Sequence, residues 1–243
     1  MTSKRPQFFF VHLQKTAGTT LRRRLMHHFG ERAVYPTAVD GDDIVTLVLD
    51  VEHLQQCLED RGHEIEVVTG HFPLCTTEVL GGGFTTLTVL REPVERTLSY
   101  LRHHRERTPG DQGKTLEEIY ADPFRFHGLA HNHMVKMFSL TPDEMSAGML
   151  THVEFDDLRL ERAKQGLASV DTVGLQERFE DFCDELSSRF GWDLGPPQVA
   201  NPSTLVDVDP EFRARIAIDN AADVELYEFA RDLVDRRGLA GRA

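Results

Sequence analysis

The chain has 243 residues, 40% hydrophobic and 28% charged, and no apolar run nears the ~20 residues of a bilayer span. Lysine and arginine number 27 against 40 acidic residues, and the net charge of −13 disfavours nucleic acid, heparin-like polyanions and anionic membranes as partners. No membrane span, secretory signal, collagen, coiled coil or wholesale disorder is expected, and the expectation is one domain over residues 1–243 in a reducing cytoplasm.

Residues 8–13 form a continuous apolar run with the pattern of a buried strand. A small, polar stretch with Gly18 follows. Leu21, Leu25, Met26 and Phe29 then fall at helical spacing, so a helix begins near Thr19 and ends at Gly30. Ile44–Leu49 fits either a strand or the start of a helix, and residues 51–60 look helical. Residues 65–68 read as a strand leading into the loop 69–73. Thr85–Leu90 is β-branched and apolar, hence another buried strand. It turns at residues 91–93 into a helix running to about Arg107, with Val94, Leu98 and Leu101 inward. After the polar loop 108–114 the chain is mostly helical, interrupted by a strand at Thr172–Leu175. Residues 195–209 form a Pro- and Asn-rich loop, and residues 210–237 form an amphipathic helix. Strands alternating with helices predict an α/β fold whose central parallel sheet is flanked by helices on both faces.

The charge is uneven. The first thirty residues hold six basic residues and no acidic ones, and residues 91–107 hold five arginines against three glutamates. Two basic segments in an acidic chain point to one small anionic ligand. Cys57, Cys75 and Cys183 show neither metal nor disulfide-framework spacing. The paired histidines lack a carboxylate partner pattern, so no metal is expected.

The loop Gln14-Lys15-Thr16-Ala17-Gly18-Thr19-Thr20 joins a strand to a helix. The helix N-terminus offers unpaired N–H groups and a positive dipole end, small residues let the backbone close round an anion, and the threonine hydroxyls add donors. Lys15 supplies a mobile charge. The loop is not a Walker A sequence, because the lysine comes first and only one glycine follows it. Farther on, Arg91 lies at the C-terminal end of a buried strand, where open α/β sheets bind ligands. Ser99 follows about two helical turns later, and guanidinium plus hydroxyl suit a second phosphate.

Taken together, residues 8–21 and residues 89–99 resemble the phosphosulfate loop and the 3′-phosphate motif of the sulfotransferases that use 3′-phosphoadenosine 5′-phosphosulfate (PAPS). The wording His-x-Gln-Lys-Thr-x-Gly-Thr-Thr is most similar to the heparan sulfate 6-O-sulfotransferase branch and its bacterial relatives. The resemblance implies a P-loop NTPase-like three-layer fold, PAPS as donor, PAP as product and no required metal. By position, Lys15, Thr16, Ala17, Gly18, Thr19 and Thr20 would hold the 5′-phosphosulfate, and Arg91 and Ser99 the 3′-phosphate. Ala17 stands where that branch often has glycine, and Glu92 where it has aspartate. Arg96 is expected to pair with Glu92 or Glu95.

Sulfuryl transfer resembles phosphoryl transfer in needing positioning and electrostatics. Lys15 is expected to stabilise the leaving phosphate. His71, in the loop after the strand at 65–68, is expected to be the base: an imidazole suits that work near neutral pH, and relatives place a histidine shortly before the 3′-phosphate motif. His12 is read as structural and Trp192 as core. His131-Asn132-His133-Met134 is similar to a stretch bordering the acceptor in relatives, and Asn201-Pro202-Ser203 is expected to cover the donor. With a net charge of −13, the expected acceptor is a small or carbohydrate-like hydroxyl compound, with no nucleic acid partner and no membrane insertion. The alternatives are a P-loop-type kinase, for which Asp50 is the candidate metal holder, and a noncatalytic nucleotide-binding protein.

Overall fold

The computed structural model describes residues 7–145, 148–197 and 208–240. Asn201-Pro202-Ser203 lies outside them. Five strands, β1 (Phe8–Val11), β2 (Val34–Tyr35), β3 (Val67–Val68), β4 (Thr85–Leu90) and β5 (Thr172–Leu175), form one sheet in the order β2-β3-β1-β4-β5. Every pairing is parallel. The helices are α1 (Gly18–Phe29), α2 (Ile44–Leu49), α3 (Val51–Arg61), α4 (Thr76–Val79), α5 (Pro93–Arg107), α6 (Leu116–Tyr120), α7 (Pro123–Arg125), α8 (His133–Ser139), α9 (Asp157–Ser169), α10 (Phe179–Phe190), α11 (Pro210–Asp219) and α12 (Ala221–Ala240).

Strand alternation divides the core. Phe8 and Phe10 face one side, where Leu21 and Leu25 of α1 and Phe182 and Leu186 of α10 cover them, and Trp192 joins this cluster. Phe9 and Val11 face the other side, against Leu54 of α3, Met134 and Val135 of α8, Leu167 of α9 and Leu226 of α12. Both faces of the parallel sheet are thus covered, as the continuous apolar runs required. Val94, Leu98 and Leu101 of α5 pack with Ile119, Tyr120 and Phe212 in a third cluster. Each fully buried leucine there contributes about 1.5–3 kcal/mol.

Ile44–Leu49 is a helix because Asp43 accepts from the N–H groups of Val45 and Thr46, capping its start. The predicted strand at 65–68 is hydrogen-bonded as β3 only over Val67–Val68, and β2 is a two-residue edge strand that no sequence period announces. The single helix expected over 210–237 is two. The chain breaks at buried Asn220, whose side chain donates to the Ile216 carbonyl and accepts from the Asn132 N–H.

The strand order positions the site. From β1 the chain goes to one edge and returns through β3, then crosses to β4 and β5 on the opposite side of β1. The strand order therefore reverses at β1 and β4, and the crevice outside their C-terminal ends is where such sheets bind ligands.

Candidate active site

The loop after β1 has a strained backbone. Lys15 and Ala17 hold φ of 69° and 71°, a left-handed conformation costing about 1–2 kcal/mol per non-glycine residue. Among the described residues no side chain caps α1, and its first turn carries no acidic residue. Uncapped leading N–H groups are the kind of donor that anions take at helix starts. The Thr16 hydroxyl is fully buried and donates to the Leu13 carbonyl at 2.9 Å, so it braces the loop rather than adding a donor for the anion. Thr19 is exposed and Thr20 half-buried at the mouth.

The second motif meets the first. Arg91 Nη1 donates to the Lys15 carbonyl at 3.2 Å across 76 residues of sequence. Its buried Nε has no hydrogen-bond partner among the described residues. Burial, and then the charge of Arg91, lower the Lys15 pKa; Glu106 at the end of α5 opposes this. Glu92 caps α5, accepting from the N–H groups of Val94 and Glu95, with Pro93 in the first turn. Glu92 is therefore not the partner expected for Arg96, and Glu95 pairs with Arg213 instead. Arg96 is fully buried and donates to the carbonyls of Leu129 and Ala130. Its place on the inward face of α5 sets that role. Ser99 lies half-buried one turn farther along α5.

His71 is held at both ends. Its N–H donates to the Val48 carbonyl at 2.8 Å, and its Nδ1 donates to the His12 carbonyl at 2.9 Å. A carbonyl only accepts, so Nδ1 carries the hydrogen and Nε2 keeps its lone pair. Burial lowers the His71 pKa, the bond to His12 partly opposing it and the charge of Lys15 adding to it. Gly70 precedes it at φ 144°, where a Cβ would meet the Phe72 ring at 2.4 Å.

His12 is not a bystander on the sheet flank. Its ring stacks on Phe10 and lies 4.5 Å from the His71 ring, centroid to centroid. A Cβ on Gly18 would fall 1.8 Å from His12 Nε2, so the imidazole occupies the space that this glycine leaves at the start of α1. Burial, followed by the charges of His71, Arg22 and Lys15, holds the His12 pKa well below 6.5. Stacked on Phe10 and filling the space beside Gly18, His12 has the place of a packing side chain next to His71.

Behind the crevice is a polar layer the sequence barely marks. His133 is fully buried, and neither ring nitrogen has a hydrogen-bond partner among the described residues. Burial and the charges of Arg96, Lys136 and His71 keep its pKa well below 6.5. Lys136 Nζ donates to the Gly128 carbonyl at 2.7 Å, and Asp223 accepts from the N–H groups of Met134 and Val135 at the start of α8. Burial pushes Asp223 up to about 6 and Lys136 down to about 8.

Next to the loop, a cavity of about 330 Å³ is lined by Ala17, Thr20 and residues 176–181. Asp50, the candidate metal holder, caps α3 by accepting from the His53 N–H at 3.0 Å. Among the described residues no three His, Cys, Asp or Glu side chains are grouped so as to hold a metal. No helix there is long and apolar enough to cross a membrane.

No family model matches the chain. In an alignment of 185 positions that covers 62% of this chain, it is 31% identical to heparan-sulfate 6-O-sulfotransferase 2 of Danio rerio. The chain spans only 38% of that protein's length. The fold is similar to the crystal structure of a sulfotransferase from Alicyclobacillus acidocaldarius, with a TM-score of 0.52 over 93% of this chain and 95% of that one, at 19% identity. The sulfotransferase resemblance carried by the two motifs therefore holds in sequence, and the P-loop-like α/β fold it implied is the fold observed.

Proposed function

We propose that this chain moves a sulfuryl group from PAPS to a hydroxyl of a small or carbohydrate-like acceptor, releasing PAP. The observation that carries the proposal is the Arg91–Lys15 contact, which joins two anion-binding motifs 76 residues apart into one crevice. The residues suit a bisphosphorylated nucleotide. The uncapped start of α1 and the side chain of Lys15 are assigned to the 5′ end, and Thr16, Ala17, Gly18, Thr19 and Thr20 to the loop around it. Arg91, whose buried Nε lacks a partner among the described residues, is assigned with Ser99 to the 3′-phosphate.

The donor supplies an activated sulfuryl group on a phosphate leaving group. His71 Nε2 accepts the proton of the acceptor hydroxyl as the new O–S bond forms, in line with the S–O bond that breaks. Lys15 and the N–H groups of α1 neutralise the charge that gathers on the departing phosphate. The lowered pKa of His71 supports this role, since it favours the neutral imidazole that can accept a proton.

The Danio rerio relative is named for heparan sulfate. For this chain, the net charge of −13 favours an uncharged acceptor over a polyanion. The kinase alternative loses its metal candidate to the α3 cap.

The test is calorimetric titration with adenosine 3′,5′-bisphosphate, beside ATP with and without magnesium. Binding of the bisphosphate indifferent to magnesium, and weakened about tenfold or more in Arg91→Ala, is the expected result. Magnesium-dependent ATP binding without bisphosphate binding would overturn the proposal.

A further inference from the structure

β1 ends at Val11, and the next residue, His12, touches both halves of the site. Its carbonyl accepts from His71 Nδ1 at 2.9 Å, and its ring centroid lies 4.5 Å from that of His71. Among the described residues, the hydrogen bond of the His71 imidazole and its aromatic ring contact are therefore both with His12. The bond from the His71 N–H to the Val48 carbonyl fixes the backbone of the base but not the direction of its ring. On its other side, the His12 ring stacks on Phe10, with centroids 5.1 Å apart and planes at 13°. Phe10 is fully buried in the cluster that holds Leu21 and Leu25 of α1. The ring thus rests on close-packed core, which transmits a displacement rather than absorbing it.

The third contact is with the anion-binding loop. The three atoms nearest to a Cβ placed on Gly18 all belong to the His12 ring: Nε2 at 1.8 Å, Cδ2 at 2.0 Å and Cε1 at 2.6 Å. Gly18 opens α1, so the ring is seated against the backbone whose N–H groups face the crevice. The seat exists because residue 18 has no side chain. The ring brings no charge to it, since burial and then the charges of His71, Arg22 and Lys15 keep its pKa well below 6.5. Transfer between two bound groups needs a fixed separation, because a misplacement of about 1 Å costs about 10²-fold in rate. Lys15 and the start of α1 hold one group and His71 faces the other, and His12 is in contact with both sides.

We propose that His12 is the positioning residue of this site: it keys the imidazole of His71 to the start of α1, so that the anion bound at α1 sets where the base stands. The inference rests on the sulfotransferase reading for the anion and for the base, and the coupling itself is read without turnover. The full chain, labelled with nitrogen-15 at histidine, is followed by NMR as adenosine 3′,5′-bisphosphate is added. Wild type is compared with His12→Ala and with Phe10→Leu, which removes the surface under the ring and alters no residue assigned to the site. Without ligand, His12→Ala speeds exchange of the His71 Nδ1 proton about tenfold, the worth of one hydrogen bond. Bisphosphate shifts the His71 Nδ1 resonance in the wild type. In His12→Ala it binds within about threefold of the wild-type affinity and His71 no longer responds. Phe10→Leu weakens the response. With PAPS, His12→Ala lowers the rate of PAP release about 10²-fold at unchanged KM. The proposal is overturned if His71 responds in full in His12→Ala, as it would to the charge of the ligand alone. It is also overturned if His12→Ala abolishes bisphosphate binding, which would make His12 part of the donor site. Should His12→Ala not fold, an undiminished His71 response in Phe10→Leu overturns it. A wild type that binds no bisphosphate defeats the sulfotransferase reading instead, and the exchange rates without ligand still decide whether His12 holds His71.

Discussion

Gly18→Ala probes the contact between the first motif and the proposed base. The added Cβ would lie 1.8 Å from His12 Nε2, 2.0 Å from Cδ2 and 2.6 Å from Cε1. Carbon contacts settle near ~3.5–4.0 Å, so the imidazole must retreat by about 1.5–2 Å. Phe10 is stacked against one face of that ring, and His71 lies 4.5 Å away. The retreat therefore displaces His71 or pulls the His12 carbonyl from its Nδ1. Overpacking costs about 1–3 kcal/mol, and alanine returns up to ~1 kcal/mol in helix propensity. The net loss of at most about 3 kcal/mol lowers Tm by at most roughly 6–12 °C for a chain of this size. A misplacement of about 1 Å at the proposed base costs about 10²-fold in rate. Thermal unfolding reads the first quantity. The chemical shift and exchange rate of the His71 Nδ1 proton read the second without any acceptor. The double variant His12→Ala with Gly18→Ala removes the clash and is expected to fold as stably as His12→Ala alone. A Gly18→Ala protein with an unshifted His71 proton, or a double variant as impaired as the sum of the two singles, would refute the steric argument.

Other substitutions separate chemistry from support. His71→Ala is expected to cut PAP release from PAPS by about 10²–10⁴ while sparing bisphosphate affinity, and unchanged turnover would remove His71 from the mechanism. Because burial lowers the His71 pKa, the wild-type rate should hold at pH 7 and fall only as pH drops below the ordinary imidazole value of 6.5. A rate limb centred above that value contradicts the assignment. Arg61 donates to both oxygens of Asp40 at 2.7 and 2.6 Å; burial raises the Asp40 pKa, but the bonds from Arg61 and Thr37 more than offset it and leave it below 3.8. Asp40 therefore stabilises the fold above 3.8, and the contribution is lost as pH falls through the depressed value. Asp40→Asn is expected to cost about 3 kcal/mol by urea unfolding at pH 7, and the gap to wild type should close in acid. Asp223→Ala strands Arg96 and Lys136 without their buried counter-charge and uncaps α8. A loss of about 3–5 kcal/mol, partly recovered by adding Lys136→Met, is expected in the same assay; a loss below about 1 kcal/mol would show the carboxylate to be dispensable.

What the sequence disclosed and what it hid divide along one physical line. Lys15, Gly18 and Arg91 were legible because each belongs to a contiguous strand–turn–helix, where spacing fixes position, and the two units need only a shared sheet edge to meet. Parallel strands were legible for the same reason: apolar runs such as Phe8–Val11 and Thr85–Leu90 alternate with helical periods. Arg96 was misread because its neighbours Glu92 and Glu95 were judged by proximity along the chain. Burial on the inner face of α5 sends it instead to carbonyls more than thirty residues away. His12, His133 and Asp223 act through tertiary contacts that leave no local period, and Asn220 ends a helix through a bond to a backbone 88 residues distant. Those residues share a property that a sequence cannot display: each is a polar group whose surroundings come from another segment. Such groups are costly to bury unless paired. Asp223 meets that cost by capping α8 and Arg96 by holding two carbonyls, whereas both nitrogens of His133 remain without partners among the described residues. The strained loop at Lys15 and the Nε of Arg91, without a partner among the described residues, show the same departure at the crevice itself. Local rules are broken where the two motifs converge and kept in the helices that carry them, which is the pattern expected of a binding site on an otherwise self-consistent fold.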